Sequence, residues 1–161
     1  MDEEKDVKWE RWQKKRVFVR EVSGKYNEIY KTLLEQPRVY SSKEIPFKGG
    51  PAKFGKHIIN PQKAFVTQLI ETHIDVIPPG STGQKHGHMN SAVMYILDGK
   101  GYDILENACV HQHFAVGDKP ARYVIIKAKP AFIFSHLMFQ KTVTYPPDHA
   151  PPGYEDYQPE N

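Results

Sequence analysis

Two His-x-His pairs constrain this chain more than any other feature. His86 and His88 stand in "QKHGHMNSAVMYILDGKG", and His111 and His113 stand in "ENACVHQHF"; together they are half of the eight histidines. Side chains alternate across a β-strand, so residues i and i+2 share a face. Each pair therefore points two imidazoles the same way if its segment is a strand. Two such strands facing one interior bring four imidazoles together. Neutral imidazole is the commonest protein ligand for Zn, Fe, Ni and Cu, and a metal offsets the burial of so many polar rings. Three such ligands with open positions make a site for water, substrate or O2. A single pair reads more readily as surface decoration than as a metal site, but two pairs, each beside a turn, favour a metal.

The segments around the pairs read as β. "FVTQLIETHIDVI" alternates in part and ends at Pro78-Pro79-Gly80. "AVMYIL" is a short apolar strand closed by "DGKG", a strong turn signal. "VHQHFAV" and "RYVIIKA" flank a second turn, "GDKP". The chain divides into an N-terminal helical arm (1–36), an irregular connection (37–64), a β-barrel (65–145) and a Pro-rich tail (146–161). In the arm, Tyr26, Ile29, Tyr30, Leu33 and Leu34 recur at helical spacing, with Ser23 as N-cap and Pro37 as stop. The segment "PFKGGPAKFGKHIINPQ" shows no clear period. The tail is expected to be extended, lying on a surface or partly disordered.

Composition excludes several function classes. At 161 residues the chain fits one domain with a real core. The net charge of +3 is small, and Lys and Arg are spread out rather than gathered into a nucleic-acid stripe. No apolar run approaches the roughly 18 residues of a membrane-spanning helix. "MDEEKDVKWERWQKKR" lacks the apolar core of a signal peptide. The single Cys109 forms no intrachain disulfide and suits a reducing compartment. The expectation is a soluble cytoplasmic protein with neither nucleic acid nor membrane as partner.

"PGSTGQKHGHMNSAVMYILDGKG" resembles the first cupin motif: Gly80 takes its first glycine, His86 and His88 its histidines, Gly99 its last glycine. "ENACVHQHF" resembles the end of the second motif, with His111 as the motif histidine. The resemblance covers about residues 65 to 130 and implies an all-β fold, the cupin-type double-stranded β-helix (jelly-roll) barrel. The glutamate of the first motif falls on Ala92, which cannot bind a metal. The gentisate 1,2-dioxygenase group, with the salicylate and hydroxynaphthoate dioxygenases, also lacks this glutamate. Its members carry a similar run matched by His86, His88, Ser91 and Ala92, and a second His-x-His matched by His111 and His113. The resemblance implies that His86, His88 and His111 hold Fe(II), with Mn, Ni or Zn as alternatives. It implies that His113 acts as a proton shuttle, and that the partners are O2 and a hydroxylated aromatic acid.

Gln84 and Arg122 are candidate substrate contacts, although Arg122 flanks a turn and reads more readily as a surface residue. Tyr95 reads as packing, Cys109 as a small buried residue, and His136 as a hydrogen-bonded core residue. His57 and His149 read as solvated. His73 shares a side with Glu71 and Asp75, a set that reads as an exposed face. Cupins commonly pair through barrel edges and N-terminal arms, so a homodimer or higher homo-oligomer is expected.

The second motif follows the first too soon. "GYDIL" spans only about 17 Å at roughly 3.3 Å per residue, and a hairpin of the usual barrel has no residues to form it. Two explanations stay open: a shortened barrel with an uncovered edge, or a sequence from which a segment of the protein is missing. Three functions follow: a ring-cleaving Fe(II) dioxygenase of aromatic-acid catabolism, a metal-binding cupin that senses or binds a ligand without redox chemistry, and a degenerate cupin with a structural role.

Overall fold

A computed structural model describes residues 41–59, 69–106, 109–135, 137 and 140–161. The expected helical arm and His136 lie outside the described residues. The elements are a 3-10 turn at Ser42–Glu44, then β1 (Lys48–Gly49), β2 (Phe54–Ile59), β3 (Glu71–Ile77), β4 (Lys85–His88), β5 (Ala92–Asp98), β6 (Lys100–Glu106), β7 (Val110–Val116), β8 (Ala121–Lys127), α1 (Lys129–Phe134) and β9 (Gln140–Thr144). Two of these strands, β1 and β2, fall in the stretch that reads as irregular from sequence. Gly55 and Lys56 interrupt the apolar pattern of β2, but pairing with β3 supplies what its own propensity lacks.

The strands form two antiparallel sheets, ordered β1-β2-β3-β8-β5 and β6-β7-β4-β9. They pack face to face over a core of Ile77, Ala115, Ala121, Tyr123 and Ile125, with Met94 against it. The alternation in β3 and β8 sets the inner face of the first sheet. Glu71, His73, Asp75 and Ile77 are buried on β3, and Ala121, Tyr123 and Ile125 on β8. Register pairs Asp75 with Tyr123 and Ile77 with Ala121. The face holding Glu71, His73 and Asp75 is thus interior, not the exposed side that the sequence reading expects; the interior of this barrel is partly polar.

The crossing from β3 to β4 carries the chain between sheets and is pinned on β7. The Gly83 N–H donates to the His113 carbonyl (2.9 Å) and the Ala115 N–H to the Ser81 carbonyl (3.2 Å). The Thr82 hydroxyl donates to the His113 carbonyl (2.8 Å). The crossing from β5 to β6 turns at Gly99. Its φ is 75°, and a Cβ there would collide with the Pro120 carbonyl. Only glycine meets both conditions.

The barrel is open on one wall. β5 ends one sheet and β6 ends the other, and no described strand lies beyond either. Val93, Tyr95, Ile96 and Leu97 on β5 are exposed, as are Tyr102, Ile104 and Leu105 on β6. Among the described residues, β5 and β6 thus leave apolar edges uncovered. Tyr95 is accordingly exposed rather than packed, whereas Met94 on the other face reaches the core.

The tail lies across the outer face of the first sheet. Tyr157 meets the Phe54 ring edge-on (5.8 Å), and the Tyr154 hydroxyl donates to the Asp118 carbonyl (3.2 Å). Among the described residues, no helix is long and apolar enough to cross a membrane.

Candidate metal centre

The two histidine pairs meet because β4 and β7 are neighbours in register. His86 stands directly opposite His111. Their ring centroids are 4.5 Å apart, and His88 lies 5.3 Å from His86 and 4.8 Å from His111. One ligand nitrogen from each of the three lies within 4.8 Å of the other two.

The three rings are held alike. Nδ1 of His86 lies 3.1 Å from the Gln84 carbonyl. Nδ1 of His88 lies 2.9 Å from the Asn90 carbonyl, and Nδ1 of His111 lies 3.2 Å from that of Cys109. A carbonyl only accepts, so each Nδ1 carries the proton and donates. The lone pair then resides on Nε2 in all three rings, the tautomer that a metal ligand needs. His88 Nε2 is buried with no hydrogen-bond partner among the described residues. Such an orphaned acceptor is costly unless something binds it.

The electrostatics favour the neutral form of His86 and His88. Burial depresses the His86 pKa to about 4, against the help of the Gln84 carbonyl, and His111, Lys127 and His88 add to the depression. Burial also lowers His88, with Lys127 next in effect. Lys127, on the inner face of β8, is therefore a cation close to the centre. Among the described residues no carboxylate joins the three histidines, and Ala92, at the head of β5, offers none.

His113 sits beside the centre rather than in it. Its ring is 5.1 Å from His111 and 6.3 Å from His86. Its Nδ1 donates to Asp103 Oδ1 at 2.7 Å. Asp103 is its cross-strand partner on β6. Burial lowers the His113 pKa, and the Asp103 carboxylate opposes the shift. The Tyr123 ring lies 5.7 Å from that of His113, tilted by 54°; its buried hydroxyl has no partner among the described residues, and burial raises its pKa well above the usual value.

The other sequence candidates divide. Gln84 supplies the carbonyl that orients His86. Arg122 is not at the centre: it alternates with inward-facing Ala121 and Tyr123, and its guanidinium donates to the Glu160 carbonyl (2.7 Å) and lies 5.5 Å from the Phe47 ring centroid. Cys109 is exposed rather than buried. His57 is on β2 rather than in a loop, while His149 is exposed in the tail as expected. Sequence reasoning missed Asp103, Lys127, Tyr123 and the carbonyl of Asn90. A signal existed for Lys127, which falls in step with the apolar residues of "RYVIIKA".

No protein-family model matches the sequence, and no curated protein is significantly similar to it. Solved structures share its fold. A salicylate 1,2-dioxygenase from Pseudoaminobacter salicylatoxidans, with gentisate adducts, matches at a TM-score of 0.51 and 13% identity, over 80% of this chain and 42% of that one. A second structure of that enzyme matches at 0.51 and 12% identity, over 60% and 32%. A variant of Bacillus subtilis oxalate decarboxylase matches at 0.55 and 13% identity, over 68% and 33%. The chain thus spans about a third to two-fifths of the length of these proteins. At such identities the likeness is one of fold. The chain has the cupin-type jelly-roll fold, with a three-histidine cluster that could hold a metal at the junction of β4 and β7.

Proposed function

We propose that this chain is a metal-dependent cupin of the ring-cleaving dioxygenase kind, acting with Fe(II) and O2 on a hydroxylated aromatic acid. The observation that carries the reading is the common clasp on His86, His88 and His111, which frees three Nε2 lone pairs in a shell without a carboxylate. His86, His88 and His111 would hold the metal; Mn, Ni or Zn would suit the same donors. A bound Fe(II) would supply open positions for a chelating hydroxy-acid and for O2, and a neutral shell leaves it the full charge that attracts an anion.

The chain's own residues account for the rest. The Lys127 ammonium is suited to the carboxylate of the acid, and the Gln84 side chain to its polar rim. His113, neutral and fixed by Asp103, keeps its proton on Nδ1, so its Nε2 can take a proton from a substrate hydroxyl. The open wall favours a second reading, a metal-binding module without redox activity, because an unclosed barrel excludes water poorly.

Elemental analysis after anaerobic Fe(II) loading tests the centre, with His86→Ala and His111→Ala as controls. O2 uptake with gentisate and with salicylate then separates the readings. Uptake that disappears in both variants supports the dioxygenase; bound iron without uptake supports the module. A folded protein without iron rejects both. A homo-oligomer in the cytoplasm is the expected setting, and gel filtration with light scattering tests the assembly.

A further inference from the structure

We infer that His57, Glu71 and His73 form a second divalent-cation site, separate from the β4–β7 centre and suited to Zn2+. His57 on β2 stands directly opposite His73 on β3, and their rings lie 5.2 Å apart at 39°. Glu71 is two residues before His73 on the same strand, so the two share a face. One donor atom from each residue lies within 4.8 Å of the other two. The β2 register shifts between His57 and Ile59, the kind of irregularity that re-aims a side chain.

Burial gives the cluster a closed side and an entrance. Glu71 and His73 are 8% and 6% exposed, whereas His57 is exposed. Nδ1 of His73 is buried with no hydrogen-bond partner among the described residues. Its other nitrogen faces Asp75, with Nε2 3.6 Å from Oδ2, and Asp75 is itself fixed by the Lys53 ammonium at 2.7 Å. A carboxylate behind one ring nitrogen with a free lone pair on the other is the arrangement that orients metal-ligating histidines. Two imidazoles and one carboxylate match the donor set of open zinc sites, with ligand bonds of about 2.0–2.2 Å. Lys127 stands opposite Glu71 in register; its charge opposes a cation here as it does at the β4–β7 centre, and the Glu71 carboxylate offsets it.

Zn2+ titration by calorimetry, with elemental analysis after dialysis, tests the site. The variants are His57→Ala, Glu71→Gln and His86→Ala, each checked for folding by circular dichroism. His57 is exposed, so its removal leaves the core intact. The expected result is one equivalent of Zn2+ lost in His57→Ala, weakened at least tenfold in Glu71→Gln and kept in His86→Ala. A zinc stoichiometry unchanged in both His57→Ala and Glu71→Gln overturns the site. The equivalent assigned to the β4–β7 centre has the opposite pattern, so failure of either site is read independently of the other.

Discussion

The closed and open walls of this barrel differ in almost every respect except their chemistry of assembly. On the closed side, β3 pairs along its whole length with β8, and β4 lies between β7 and β9. On the open side, β5 and β6 each have a partner on one edge only among the described residues, and their apolar side chains face solvent. The three histidines of the candidate centre all belong to the closed side. The lesson is that the centre needs the β4–β7 register and little else, so a wall can be lost while the donors stay together.

The sharpest way to break this comparison is to remove a histidine from the closed side. His111→Ala is expected to abolish tight metal binding, while Leu105→Ala, on the neighbouring strand but on the open wall, leaves it unchanged. Equal losses in elemental analysis would show that the wall matters to the site. Stability gives a second measure. Ile77→Ala should cost about 2–5 kcal/mol in urea unfolding, because Ile77 is fully buried. Leu105 is 73% exposed, and its truncation should stay within about 0.5 kcal/mol.

Acid should act on the closed side first. The folded pKa of His86, about 4, lies below its ordinary value of 6.5. The unfolded chain therefore binds more protons between these values. The contribution of a neutral His86 to stability is complete above pH 6.5 and is lost as pH falls toward 4. The melting temperature of metal-free protein should drop across that window, and His86→Gln should flatten the drop. A smaller effect is expected at the seam between the walls. Asp103→Asn removes the carboxylate that supports His113, so the His113 pKa should fall further in an NMR titration, with about 1 kcal/mol of stability lost. Smallest of all, Arg122→Ala on the outer face should leave metal content and substrate response untouched.

Much of the centre was legible because strand alternation is a local rule. It placed His86 with His88, and His111 with His113, before any pairing was known. The shortness of "GYDIL" made the open wall legible for a similar reason, since chain length limits reach. What stayed hidden depends on register, which is set by the partners. Nothing in the sequence sets Asp103 opposite His113. Alternation showed that Arg122 and Tyr123 point opposite ways, but not which points inward. Glu71, His73 and Asp75 were misjudged because polar residues at alternate positions usually face water. Here they line the interior, and the Lys53 ammonium meets the deepest of them.

The clasp on the three histidines is made entirely by main-chain carbonyls. Residues 84, 90 and 109 could change identity without removing the oxygen that orients each ring. The orientation of the centre is thus encoded by strand path rather than by side-chain spelling. A saturation scan scored by metal content should tolerate drift at those three positions while punishing replacement of the histidines they hold. Such a centre can persist through sequence divergence deep enough to erase every other sign of ancestry.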